Sequence, residues 1–224
     1  MKSLIIYLFL ISTSLPVFSQ ECIGPKTAKI GMVFLHGMDS PEFGPQERKT
    51  REHFTKMAKE LDIAFALPRS PMKCPTKPHL VCWGWSFQEL NSVDNALAAS
   101  EKAKQTCFPE AKSTGIMGYS NGGYVVNYIL KYCKKNSFNW AISIGAGSTW
   151  KDSDAVTDMS SCGQYVFLTG IQDTYNYDTV LKMKPWLQKR KVNFSIAEYD
   201  GGHTVPYNEL LAEVKKLTAG KAKK

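Results

Sequence analysis

From Lys29 onward, short apolar runs alternate with segments whose apolar residues recur at helical spacing. Ile30 to Leu35 is apolar almost without interruption and ends in His36-Gly37, the pattern of a strand buried on both faces. Pro45 to Asp62 then places Phe54, Met57, Ala58 and Leu61 on one helical face, with Pro45 suited to an early helical position and Glu47 to the first turn. Ile63 to Leu67 reads as a second strand stopped by Pro68. Pro68 to Phe87, with four prolines, two cysteines and Trp83-Gly84-Trp85, reads as an ordered surface loop. The alternation then resumes. Helices are predicted over Glu89–Cys107, Gly122–Cys133, Tyr177–Arg190 and Pro206–Leu217, and strands over Ser113–Gly118, Trp140–Ile144, Gln164–Thr169 and Val192–Glu198. About six strands separated by helices predict an α/β fold, with a mostly parallel sheet covered by helices on both faces.

The first nineteen residues stand apart from this pattern. Lys2 gives a positive start, Leu4 to Leu10 is apolar, and Val17-Phe18-Ser19 precedes a plausible cleavage point, so residues 1–19 read as a signal peptide and 20–224 as one domain. The apolar run is shorter than the roughly 20 residues that span a bilayer, and Glu21 disfavours a lipid anchor on Cys22. The expected location is therefore secreted or periplasmic, without a stable membrane anchor. All six cysteines lie beyond residue 19, an even number suited to an oxidising compartment. A local Cys74–Cys82 bridge is the first expectation, although spacing does not select a pairing.

The formal net charge is +8, with the excess concentrated in Lys182 to Lys191 and Lys215 to Lys224. Such runs suit solvated helical faces and a basic end, with at most weak attraction to anionic envelope surfaces. Aromatic and basic residues do not interleave as nucleic-acid binding would require, so no nucleic-acid partner is expected. His79 lies between Cys74 and Cys82, but no Cys-x-x-Cys or second histidine completes a zinc set. Asp152, Asp154 and Asp158 lack the spacing of an EF-hand.

Chemistry enters at Gly118-Tyr119-Ser120-Asn121-Gly122, a Gly-x-Ser-x-Gly pentapeptide between a predicted strand and a predicted helix. A serine held in that sharp turn projects its hydroxyl, and the two glycines remove side chains that would collide across it. The hydroxyl needs a base, and the base needs an acid to fix its tautomer. His203, in Gly201-Gly202-His203-Thr204-Val205-Pro206 after the last strand, is the expected base. Asp173, just past the strand ending at Thr169, is the expected acid by chain order, with Asp178 and Asp200 as alternatives. The backbone N–H groups of Asn121 and Met38 are the expected oxyanion donors, with His36 bracing the Met38 turn. Trp83, Trp85, Phe87, Tyr119, Trp150, Tyr175 and Tyr177 are candidate walls of a substrate cleft.

These motifs together look like the α/β-hydrolase superfamily. The Ser120-Asn121-Gly122-Gly123 and Gly201-Gly202-His203-Thr204-Val205-Pro206 forms are similar to secreted esterases of the polyhydroxybutyrate depolymerase and feruloyl esterase-like group. The resemblance spans about Lys29 to Leu217 and implies hydrolysis of a small-molecule or polymer-linked ester through an acyl-enzyme, with no metal or organic cofactor. No long insertion follows Ser120, so an open cleft without a large lid is expected. An exported serine peptidase or amidase is the alternative, and a non-catalytic envelope-binding domain is a third reading.

Overall fold

The computed structural model describes residues 20–38, 45–70, 84–86, 90–133, 138–147 and 158–219. In chain order the elements are β1 (Gln20–Ile23), β2 (Ile30–Leu35), α1 (Pro45–Leu61), β3 (Ala64–Pro68), α2 (Leu90–Cys107) and β4 (Ser113–Tyr119). They continue with α3 (Asn121–Lys131), β5 (Trp140–Ile144), β6 (Gln164–Gly170), α4 (Asn176–Lys189), β7 (Asn193–Tyr199) and α5 (Tyr207–Thr218). The strands form one seven-stranded sheet in the order β1-β3-β2-β4-β5-β6-β7. All neighbours run parallel except β1, which pairs antiparallel with β3 from Gln20–Pro68 to Ile23–Phe65. The fold is thus the predicted α/β sheet with one strand more than expected. β1 is four residues long, half polar and paired on one side only, so it carries neither alternation nor a continuous apolar run.

Burial on both faces explains the unbroken apolar strands. Along β2, Val33 and Leu35 join one core while Ile30, Met32 and Phe34 join the other. β6 divides likewise, Tyr165 and Phe167 on one side and Val166 and Leu168 on the other. The first core is closed by Val93 and Leu97 of α2, Val125 and Ile129 of α3, and Val180 and Leu187 of α4. The second is closed by Phe54 and Met57 of α1 and by Leu210 and Val214 of α5. Among the described residues no helix is long and apolar enough to cross a membrane.

Among the described residues two disulfides brace this frame, Cys22–Cys107 between β1 and the end of α2, and Cys133–Cys162 between the end of α3 and the approach to β6. The expected Cys74–Cys82 bridge and the predicted signal peptide lie outside the described residues.

The strand order sets the place for a site. From β2 the chain moves outward to β3, then crosses back over β2 to β4 on its other side. Loops leaving β2 and β4 therefore diverge, which opens a crevice at the carboxyl ends of those strands.

Candidate active site

Ser120 stands at that switch point, between the end of β4 and the first residue of α3. Its backbone has φ 51° and ψ −114°, a left-handed φ uncommon for a residue with a side chain. The turn is pinned by its N–H to the carbonyl of Ile144 at 2.9 Å and by the Tyr124 N–H to its own carbonyl at 3.0 Å. It is also compact: a Cβ on Gly118 would lie 2.1 Å from the Gly122 carbonyl oxygen. A Cβ on Gly122 would lie 2.1 Å from the Leu35 oxygen and 2.8 Å from that of His36. The missing side chains thus let the start of α3 sit directly on the end of β2.

That approach brings the Gly37-Met38 turn to the serine. A Cβ on Gly37 would be 3.3 Å from the Ser120 Cβ. Met38 follows with its side chain 55% exposed, and Asn121 opens α3, where backbone N–H groups have no partner within the helix. The turn is braced by His36. Its Nδ1–H donates to the Gly37 carbonyl at 2.7 Å, and its Nε2 accepts the Ser70 N–H at 3.0 Å. Both bonds suit the neutral ring, and burial holds its pKa below the ordinary 6.5 despite the Gly37 bond and the charge of Glu47.

His203 and Asp173 meet at the ends of β7 and β6. The His203 Nδ1 lies 2.6 Å from Asp173 Oδ2, a short charge-assisted bond in which Nδ1–H donates. The Asp173 side chain is 5% exposed and that of His203 is 39% exposed. Burial alone raises the Asp173 pKa, but bonds from His203 and Asn176 outweigh it and hold the carboxyl below its ordinary range. Of the alternative acids, Asp200 accepts Gln172 Nε2 at 2.7 Å, and Asp178 sits in the first turn of α4. Tyrosines hold the histidine loop by its backbone. Tyr119 donates to the His203 carbonyl at 2.9 Å, while the Tyr199 hydroxyl lies 2.8 Å and 2.9 Å from those of Gly202 and Thr204. The Tyr119 ring packs 4.9 Å from the imidazole, centroid to centroid.

The expected cleft walls fare differently. Trp85 and Tyr119 are each only 5% exposed, so both rings pack inward, one in the core beside His36 and the other under His203. Tyr175 is 70% exposed beside Asp173, and the Tyr177 hydroxyl donates to Glu198 at 3.1 Å. Trp83, Phe87 and Trp150 lie outside the described residues, as does His79. Among the described residues no cluster of three or more His, Cys, Asp or Glu side chains forms a metal-binding group.

Two side-chain amides were missed by sequence reasoning. Asn121 was singled out for its backbone, yet its side chain clamps Trp85: Oδ1 accepts the Trp85 N–H and Nδ2 donates to the Trp85 carbonyl at 2.9 Å. Asn176 was not singled out at all. Its position three residues after Asp173, where a helix begins, was the available signal, since an aspartate there accepts the N–H groups of the first turn.

A model of the prolyl oligopeptidase family matches residues 83–223, more than half of the chain and all three of Ser120, Asp173 and His203. No curated protein matches the sequence. Among solved structures, a carboxylesterase from Mesorhizobium loti superposes with a TM-score of 0.67 at 17% identity, over 91% of this chain and 95% of that one. The Bacillus cereus carboxylesterase gives 0.66 at 13% identity over 92% and 95%. Zea mays acyl-protein thioesterase 2 gives 0.65 at 16% identity over 92% and 99%. At these identities the likeness is one of fold. Neither the family match nor these neighbours bears on the narrower likeness to polyhydroxybutyrate depolymerases and feruloyl esterases.

Proposed function

Since the chain belongs to the prolyl oligopeptidase family and has the α/β-hydrolase fold, we propose that it is an exported serine hydrolase of carboxylic esters. The observation that carries this reading is the 2.6 Å bond between His203 and the buried Asp173, together with a serine held at φ 51° at the end of β4. In the mechanism, Ser120 Oγ attacks the ester carbonyl as His203 Nε2 takes its proton. Asp173 keeps the imidazole in the Nδ1–H tautomer and stabilises the imidazolium. The N–H groups of Asn121 and Met38 receive the negative oxygen of the tetrahedral intermediate, each such donor contributing about 10²–10³ in kcat. His203 then returns the proton to the departing alkoxide, and a water activated by the same base releases the acyl group.

The family match favours a second reading, cleavage of peptide or other amide bonds, which differs in needing protonation of an amine leaving group. Aryl esters and peptide anilides assayed in parallel separate the two, and faster turnover of anilides would overturn the ester assignment. A fluorophosphonate probe tests what both share. Labelling of the folded protein that disappears in Ser120→Ala is expected; absence of labelling would leave the non-catalytic reading, and persistence in that variant would overturn Ser120 as the nucleophile. Export is supported by the leader-like residues 1–19 and by the two disulfides among the described residues. The mass of the exported chain should begin at Gln20.

A further inference from the structure

The Asp173 carboxylate is held by more than its histidine. Oδ1 accepts the backbone N–H of Asn176 at 3.2 Å and its amide Nδ2 at 3.1 Å, and Oδ2 accepts the same Nδ2 at 3.0 Å. The backbone bond is available to any residue at that position, whereas the amide bonds need this side chain. Asn176 is 5% exposed and Asp173 6% exposed, so water does not replace that donor easily.

The orientation of the amide follows from its other end. Asn176 Oδ1 accepts the Tyr124 hydroxyl at 3.0 Å, which turns Nδ2 toward the carboxylate; the flipped amide would set a carbonyl against two carboxylate oxygens. Burial pushes the Tyr124 pKa up to about 12, so the hydroxyl keeps its proton wherever a histidine base operates. Tyr124 lies one turn beyond Ser120 on α3, its N–H bonded to the Ser120 carbonyl. A chain of hydrogen bonds therefore runs from the nucleophile's helix through Tyr124 and Asn176 to Asp173 and His203.

We propose that Asn176 is a positioning residue for the acid of the triad, oriented by Tyr124, so that the helix carrying Ser120 and the loop carrying Asp173 are held in register. The inference rests on the hydrolase reading above. An aspartate's χ2 well is broad, so a carboxylate bonded only at Oδ2 swings readily and carries the imidazole with it. The amide bonds both oxygens and removes that freedom. Its Nδ2 also lies 3.2 Å from His203 Nδ1, covering the edge of the ring that faces the acid.

The test uses Asn176→Ala, Tyr124→Phe and the double variant in the full-length exported protein, assayed on an aryl ester. Asn176→Ala should lower kcat by about 10–100-fold with KM within about twofold, because the serine and the oxyanion donors are untouched. Tyr124→Phe should lower kcat by less, and the double variant should be no slower than Asn176→Ala, since both cut one chain. The low-field proton resonance of the His203 Nδ1–H should broaden or move in both single variants. Multiplying effects in the double variant, or wild-type kcat in a folded Asn176→Ala, overturns the proposal. Should Asn176→Ala fail to fold, Tyr124→Phe decides: a folded protein with wild-type kcat and an unmoved resonance sinks it. Activity retained in Ser120→Ala would instead defeat the underlying hydrolase reading.

Discussion

Ser120 keeps a backbone conformation that costs a residue with a Cβ about 1–3 kcal/mol, and its surroundings must supply that energy. The bonds to Ile144 and from Tyr124 do so, which is why the hydroxyl stands at the head of α3 instead of inside it. Asp173 shows the same balance in electrostatics, burial disfavouring its charge and the bonds from His203 and Asn176 restoring it. Asp173→Asn should therefore drop kcat by about 10⁴-fold, because an asparagine neither enforces the Nδ1–H tautomer nor stabilises the imidazolium. Its folded-state pKa lies below the ordinary 3.8, so ionised Asp173 adds stability that is complete above that value and lost as pH falls through the folded value. His36 gives the same sign of pH dependence by the opposite route, its neutral form being the one the fold favours. Held neutral in the fold with its pKa below 6.5, it binds a proton more readily in the unfolded chain, so stability falls as pH drops from 6.5 toward the folded value. His36→Gln should flatten that part of the stability curve even if it lowers the plateau. Urea midpoints measured across about pH 8 to 5 check this, and an unchanged slope in the variant would contradict it.

At the scale of elements, the turn that holds Ser120 depends on α3 sitting against β2. Gly122→Ala would drive a methyl to 2.1 Å from the Leu35 carbonyl oxygen, a backbone atom that moves only with its strand. Separating those elements parts the Asn121 N–H from the Met38 turn, so folded Gly122→Ala should lose at least about 10²-fold in kcat. Circular dichroism alongside the ester assay separates this from simple unfolding. The glycines were legible in the sequence because a strand, a sharp turn and a helix each leave a local signature around Ser120. So were the two-sided strands, since burial on both faces removes polar residues from the strand itself. β1 was not legible, because its place depends on a pairing with β3 more than forty residues away, which no local pattern encodes. The amides failed for a related reason. Asn121 and Asn176 act through side-chain bonds across the fold, to Trp85 and to Asp173 with Tyr124, and an asparagine at a helix start looks the same whether or not it makes them. Trp85 was misplaced because an aromatic in a loop shows its size in the sequence but not which way it points.

Over the whole molecule, two disulfides among the described residues add covalent ties to a sheet whose elements are otherwise joined by ladder hydrogen bonds, ion pairs and packing. Cys22–Cys107 spans a sequence separation of 85 and secures β1, the strand with the least pairing; Cys133–Cys162 spans 29. If each acts by restricting the unfolded chain, the longer loop contributes roughly 4–5 kcal/mol and the shorter roughly 3–4 kcal/mol. Together these approach the 5–15 kcal/mol that a domain has in total, so a reduced form of this protein would be marginal. Such a dependence is compatible with an oxidising compartment, and it lies in the fold itself. Replacing both cysteines of a pair by alanine should lower the urea midpoint, by roughly 1.5–2 M for Cys22 and Cys107 at an m-value of about 2.5 kcal/mol/M, and by less for Cys133 and Cys162. The order of the two effects discriminates best, since loop length is what sets it. Equal midpoints in both variants and the parent would mean that pairing with β3 and packing hold β1 in place without the bridge, and the disulfides would then no longer argue for export.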